Sequence, residues 1–179
     1  MLKPRMLALI SMVLLAAATR LIPHPPNMTS LTAVALFGGA YFSDKRLAFA
    51  VPLTALFLSD LVLGLYRHME VVYLSFALIV VIGLWLQKHR RALPIAGAAL
   101  ASSVLFFVLT NFGVWAFDAL YPKTLAGLVA CYVAAIPFFQ NTLLGDMLYT
   151  AVLFGGFALL EKWLPILRDP PVIKAALAA

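Results

Sequence analysis

Long apolar stretches alternate with short polar or proline-bearing breaks along nearly the whole chain. The stretches run about 6–22, 31–42, 47–66, 71–87, 93–117 and 141–160. The breaks include Pro23-His24-Pro25-Pro26, Ser43-Asp44-Lys45-Arg46, Arg67-His68 and Lys88-His89-Arg90-Arg91. A helix needs about 20 predominantly apolar residues to cross the hydrocarbon layer. The pattern therefore predicts an all-α integral membrane protein with six transmembrane helices, of which 31–42 is short for a span. A further apolar piece, 126–139, is too short to cross by itself and predicts a re-entrant or interfacial helix. Nothing alternates with period 2, so a membrane β-barrel is excluded. The whole of 1–179 reads as one transmembrane domain.

Composition agrees with the pattern. Hydrophobic residues make up 64% of the 179 and charged residues 11%, with a mean hydropathy of +1.02. A soluble domain carries about 25% charged residues. This chain cannot coat its own surface in water, which excludes a soluble enzyme or a disordered regulator. The one cysteine, Cys131, permits neither an internal disulfide nor a multi-cysteine metal site.

The net charge of +6 changes the picture only through its placement. If the segments alternate, one side receives Lys3, Arg5, Lys45, Arg46, Lys88, Arg90, Arg91, Lys162, Arg168 and Lys174, and the other receives Arg20, Arg67 and Lys123. Basic loops stay cytoplasmic, so both termini are expected in the cytoplasm, and the basic balance is a topology signal with no nucleic-acid partner implied. Lys3-Pro4-Arg5, the apolar core and Ala16-Ala17-Ala18 also resemble a secretory signal. The core is long for one, and a retained first span is the reading adopted, with cleavage left open.

A charged side chain at the centre of a spanning helix costs at least about 2.5 kcal/mol, so it normally faces a partner or a wet cavity. Asp60 lies about 9 Å below the outer end of the third stretch. Asp146 lies on the sixth stretch, deeper than Asn141 near its start, and Asn111 and Trp115 lie near the outer end of the fifth. Arg20 closes the first. All fall in the outer half, the arrangement of an outward-facing binding cavity. His24, Asn27, Tyr66, Arg67, His68, Tyr121 and Lys123 are lid groups in the outer loops. Each has a plainer alternative. Asp60 and Asp146 can staple helices by pairing with Arg20 or Arg67, Asn111 and Asn141 can be interhelical glue, and Trp115 can be an interfacial anchor. The pairs Gly38-Gly39 and Gly155-Gly156 read as points of close helix approach. No Gly-x-Ser-x-Gly, His-Glu-x-x-His, phosphate-loop or paired-cysteine motif occurs, so no catalytic or metal site and no resident cofactor are expected.

Arg20-Leu-Ile-Pro-His-Pro-Pro-Asn27, Leu36-Phe-Gly-Gly-Ala-Tyr41, Leu58-Ser-Asp60, Asn111-Phe-Gly-Val-Trp115 and Phe139-Gln-Asn-Thr-Leu-Leu-Gly-Asp146 together carry a resemblance over roughly residues 5–162. The chain resembles small bacterial six-helix transport proteins similar to the S components of energy-coupling-factor vitamin transporters, including solitary members linked to cobalamin uptake. The resemblance implies an S-component-like bundle with a micronutrient pocket opening outward. Two departures stand out. Ala8 is followed four residues on by Met12, where docking S components carry a second small residue, so a solitary or differently coupled transporter fits better, with an energy-coupling module or none as its partner. Solitary cobalamin-linked members carry a cysteine in the loop after the third helix; His68 stands there instead, and imidazole is a competent cobalt ligand.

The expectation is thus a bacterial inner-membrane transporter that binds a vitamin-like small molecule, cobalamin being one candidate substrate. Asp60, Asn111, Asn141 and Asp146 would orient the ligand, Trp115 would stack on it, Arg20–Asn27 would gate access, and His68 is a possible loop ligand. The alternative is an accessory structural subunit of a larger membrane complex. A membrane-embedded enzyme acting on lipid rests only on the two aspartates.

Overall fold

The computed structural model describes residues 3–169, and Lys174 lies outside them. The first helix, α1 (Pro4–Ala18), carries proline at its first helical position, where a missing N–H costs nothing, and closes in a 3-10 turn over Thr19–Leu21. The proline-rich segment then leads to α2 (Leu31–Tyr41), whose residues are all buried. It is followed by α3 (Lys45–Leu63), α4 (Met69–Leu86) and α5 (Ala92–Phe117). The last helix, α6 (Leu125–Trp163), contains a π turn at Ala151–Gly155. Among the described residues there is no strand.

At 11 residues, α2 is about 16 Å long, half the hydrocarbon thickness. It sits at the centre, touching α1, α3, α4, α5 and α6. Small residues make this possible. A Cβ added at Gly39 would lie 2.8 Å from Gly83 Cα of α4, so the two backbones cross where neither residue has a side chain. Gly38 instead makes room for the Pro52 ring of α3. The second glycine pair behaves differently: nothing lies within 4 Å of a Cβ built at Gly155, which belongs to the π turn.

The five longer helices are each long and apolar enough to cross a membrane. Their outward faces are apolar, with Leu15, Val62, Leu93, Val133 and Val152 exposed. Such a surface needs lipid. This is an all-α, multi-pass membrane protein.

One expectation is corrected. Residues 126–139 are not a separate re-entrant helix and the last span does not begin at Asn141; both belong to the continuous α6. Pro137 lies inside the helix and removes only its own hydrogen bond. Asn141, read as the start of the last span, turns its side chain toward the loop before α2, and the helix runs through it. At 39 residues α6 is about 58 Å long, well beyond the hydrocarbon thickness. Its first half is as greasy outside as the rest, with Leu125, Val129 and Ile136 exposed.

Contacts sort the loops into two ends. At one, Arg5 pairs with Glu161 and Asp169, and Arg90 pairs with the same Asp169. Both guanidinium groups lie over the Tyr41 ring at the end of α2. Gln87 donates to the carbonyls of Gly39 and Phe42, adding the α4 end. At the other end lie Arg20, the proline-rich loop, His68 and the α5–α6 connection. The described stretches before α1 and after α6 therefore share an end, as alternating segments require.

Candidate functional site

The end opposite the start of α1 and the end of α6 holds most of the polar residues singled out above, in two separate arrangements. The first is sealed. Arg20 forms an ion pair with Asp60, which is completely buried. The Arg20 guanidinium also donates to Ser59 Oγ at 2.8 Å, and Tyr73 of α4 donates its hydroxyl to the second Asp60 oxygen at 2.9 Å. Tyr66, in the loop after α3, sits beside the pair; partial burial and the neighbouring Asp60 carboxylate push its phenol up to about 12. Both carboxylate oxygens are thus engaged, and the group joins the 3-10 turn after α1 to α3 and α4. The 3-10 turn after α1 and the Ser59–Asp60 step on α3 place these partners by sequence-local geometry.

The second arrangement is open. A cavity of about 260 Å³ lies between α5 and α6, roofed by Asn27. Asn27 adopts φ 64°, a left-handed conformation that asparagine tolerates better than most residues. Asn111 and Thr110 enter from α5 and Thr142 from α6, among Phe106, Phe107, Phe138 and Phe139. Phe107 and Phe139 meet across the helix pair with ring centroids 4.7 Å apart. Asn111 spends one amide hydrogen on the Phe107 carbonyl at 2.8 Å, leaving its carbonyl oxygen for another donor. Among the described residues no ionisable side chain lines this cavity. It offers aromatic faces and neutral hydrogen-bonding groups.

The remaining residues brace the rim. Asn141 Nδ2 donates to the Pro26 carbonyl at 3.0 Å, tying the proline-rich loop to α6. Trp115 donates its indole N–H to the Pro122 carbonyl at 2.9 Å and lies under the Lys123 ammonium. His68, at φ 59°, places Nε2 3.1 Å from an Asp118 oxygen and stacks on Phe117, linking the α3–α4 and α5–α6 connections. Asp146 is one turn deeper than Thr142 and is buried, accepting a 2.6 Å hydrogen bond from Ser103 of α5.

Of the residues singled out in the sequence, Asn27 and Asn111 line the cavity, Asn141 and Asp146 flank it, and Arg20, Asp60, Trp115 and His68 stand elsewhere. Residues 1–167 match DUF6580, a family of unknown function. The chain belongs to the DUF6580 family. No curated protein and no solved structure matches it. In this DUF6580 chain, sequence reasoning missed Phe106, Phe107, Phe138, Phe139 and Thr142. A signal for them was present: Phe107 stands four residues before Asn111 and Phe138 four before Thr142, so each pair shares a helix face. Among the described residues no group of His, Cys, Asp or Glu is arranged to hold a metal ion.

Proposed function

We propose that this protein is a bacterial inner-membrane transporter that binds a small, uncharged, vitamin-like molecule for uptake. The observation that carries the reading is the cavity at the end away from the start of α1, where Asn27, Asn111 and Thr142 converge on an aromatic-lined space. Burying a charged ligand there would leave its charge unpaired, at a cost of several kcal/mol. Neutral amide and hydroxyl groups instead suit a ring-bearing molecule with hydrogen-bonding edges. At about 260 Å³ the cavity is at the small end of ligand pockets, which favours a compact ligand over a corrinoid as bulky as cobalamin.

Charge supports the orientation. The end holding the start of α1 carries Lys3, Arg5, Lys45, Arg46, Lys88, Arg90, Arg91, Lys162 and Arg168 among the described residues, against Arg20, Arg67 and Lys123 at the other. The richer end is cytoplasmic by the distribution of basic loops, and the cavity then faces outward.

Native mass spectrometry of the purified protein tests the reading. A small molecule released from wild type and absent from Asn111→Ala is the expected result. A stoichiometric protein partner with no small molecule in either sample would overturn it in favour of an accessory subunit.

A further inference from the structure

A second cavity, of about 400 Å³, lies at the other end of the bundle between α5 and α6. Tyr41 and Arg90 stand at it, with Thr150, Phe154 and Gly155 of α6. The outer cavity touches α6 at Thr142 and this inner one touches it at Thr150. Midway between them is Asp146. The three residues are spaced by four, which puts them in one row along α6. The row is buried throughout, and its Asp146 meets Ser103 of α5.

The groups around the Asp146 carboxyl are hydroxyls. Ser103 donates from α5, and Thr32 faces it from α2. Among the described residues no Lys, Arg or His pairs with it; every ion pair lies elsewhere. On the same two helices, Ser102 Oγ and Thr150 Oγ1 are buried without a hydrogen-bond partner. That is unusual, because buried polar groups are paired in all but a few cases. A buried carboxyl met by the Ser103 and Thr32 hydroxyls and by no cation is a site short of one positive charge. The π turn begins one residue after Thr150. Such turns break the regular ladder and recur at functional positions in helices.

We propose that Asp146 is a monovalent-cation site set between an outer and an inner cavity, which couples movement of the ligand to entry of a single positive charge. The charge is a proton added to the carboxylate, giving the neutral acid, or a sodium ion held by the carboxylate with the Ser103 and Thr32 hydroxyls. Either neutralises the one acid that, among the described residues, is fully buried with no cation of its own. The role in coupling rests on the uptake reading above, whereas occupancy of the site by a cation does not.

The test uses the full chain in nanodiscs with no ligand added. In the sodium arm, thermal stability is followed as sodium replaces choline at constant ionic strength. In the proton arm, infrared difference spectra across mildly acidic to alkaline pH report the carbonyl stretch of a protonated carboxyl. Sodium occupancy predicts a stabilisation in wild type that Asp146→Asn loses. Proton occupancy predicts a protonated-carboxyl band that vanishes in Asp146→Asn. Ser103→Ala, which keeps the acid and removes its donor, shifts the sodium or pH midpoint and serves also if Asp146→Asn fails to fold. A wild type with no sodium response and no protonated-carboxyl band overturns the proposal, as do signals that both variants leave unchanged. If cation signals appear while no small molecule is found bound, the uptake reading fails and the cation site stands.

Discussion

Asp60 and Asp146 are equally buried acids on spanning helices, yet they have opposite surroundings. Asp60 faces a guanidinium, a serine beside it and a tyrosine hydroxyl. Asp146 faces hydroxyls alone. The first is a closed brace, whose charge is cancelled where it is made. The second leaves its charge to be cancelled by something that arrives. Burial alone does not identify a functional carboxylate; what balances it does.

The comparison breaks most sharply at the brace. Replacing Arg20 by Ala leaves an unpaired carboxylate in the bundle, and removing one member of a buried pair costs about 3–5 kcal/mol. The expected outcome is a large loss of thermal stability in detergent. The double change Arg20→Met with Asp60→Leu restores much of it, because no charge is left buried. Asp146→Asn, by contrast, keeps its shape and its bond from Ser103 and is expected to melt within about 1 kcal/mol of wild type. Equal losses at the two aspartates would show that both are braces.

A smaller effect is expected where helices touch without polar groups. Gly83→Ala forces a methyl onto the Leu36 carbonyl of α2, and overpacking of this kind costs about 1–3 kcal/mol. Gly155→Ala, in open space beside the inner cavity, is expected to cost little in packing. Melting curves of the two variants would separate a crossing point from a loosely packed turn.

The ligand cavity sharpens the same contrast. Asn111→Ala removes the neutral acceptor and costs the bound molecule about 1.4 kcal/mol, a tenfold loss in affinity, with little change in folding. A ligand whose binding depends instead on Asp60 would have to open the brace first, and Asp60→Asn would then change affinity more than Asn111→Ala does.

The legible part of this molecule was the part written in hydropathy. The all-α membrane class, the close contact at Gly39 and the grouping of loops into two ends follow from apolar runs, small residues and basic breaks. The course of α6 did not, because Pro137 and the Gln140-Asn141 step have the chemistry of a break, and only the tertiary contact to Pro26 shows what they do inside a helix. The site was half legible for a similar reason. Polar residues announce their cost wherever they lie, but sequence cannot say whether Arg20 turns to Asp60 or to a ligand. The aromatic walls went unseen because Phe107 and Phe138 look like any lipid-facing or core residue until two helices bring them together.

Asn141 carries the smallest expected effect and the finest distinction. Its amide reaches the Pro26 carbonyl from the middle of α6, just above Thr142 and the outer cavity, and it is one of few side-chain links between the proline-rich loop and the helices. Asn141→Ala removes one hydrogen bond at a partly exposed rim, worth about 1 kcal/mol. The bundle itself should melt almost as before, since Arg20 and Asp60 still tie the preceding turn to α3. The loop should loosen, and with it Asn27, which roofs the cavity from a left-handed backbone position. Hydrogen exchange should therefore rise over residues 23–29 and remain unchanged in α3. If exchange instead rises equally in both, the loop and the brace are one unit, and the roof cannot open without breaking the buried pair.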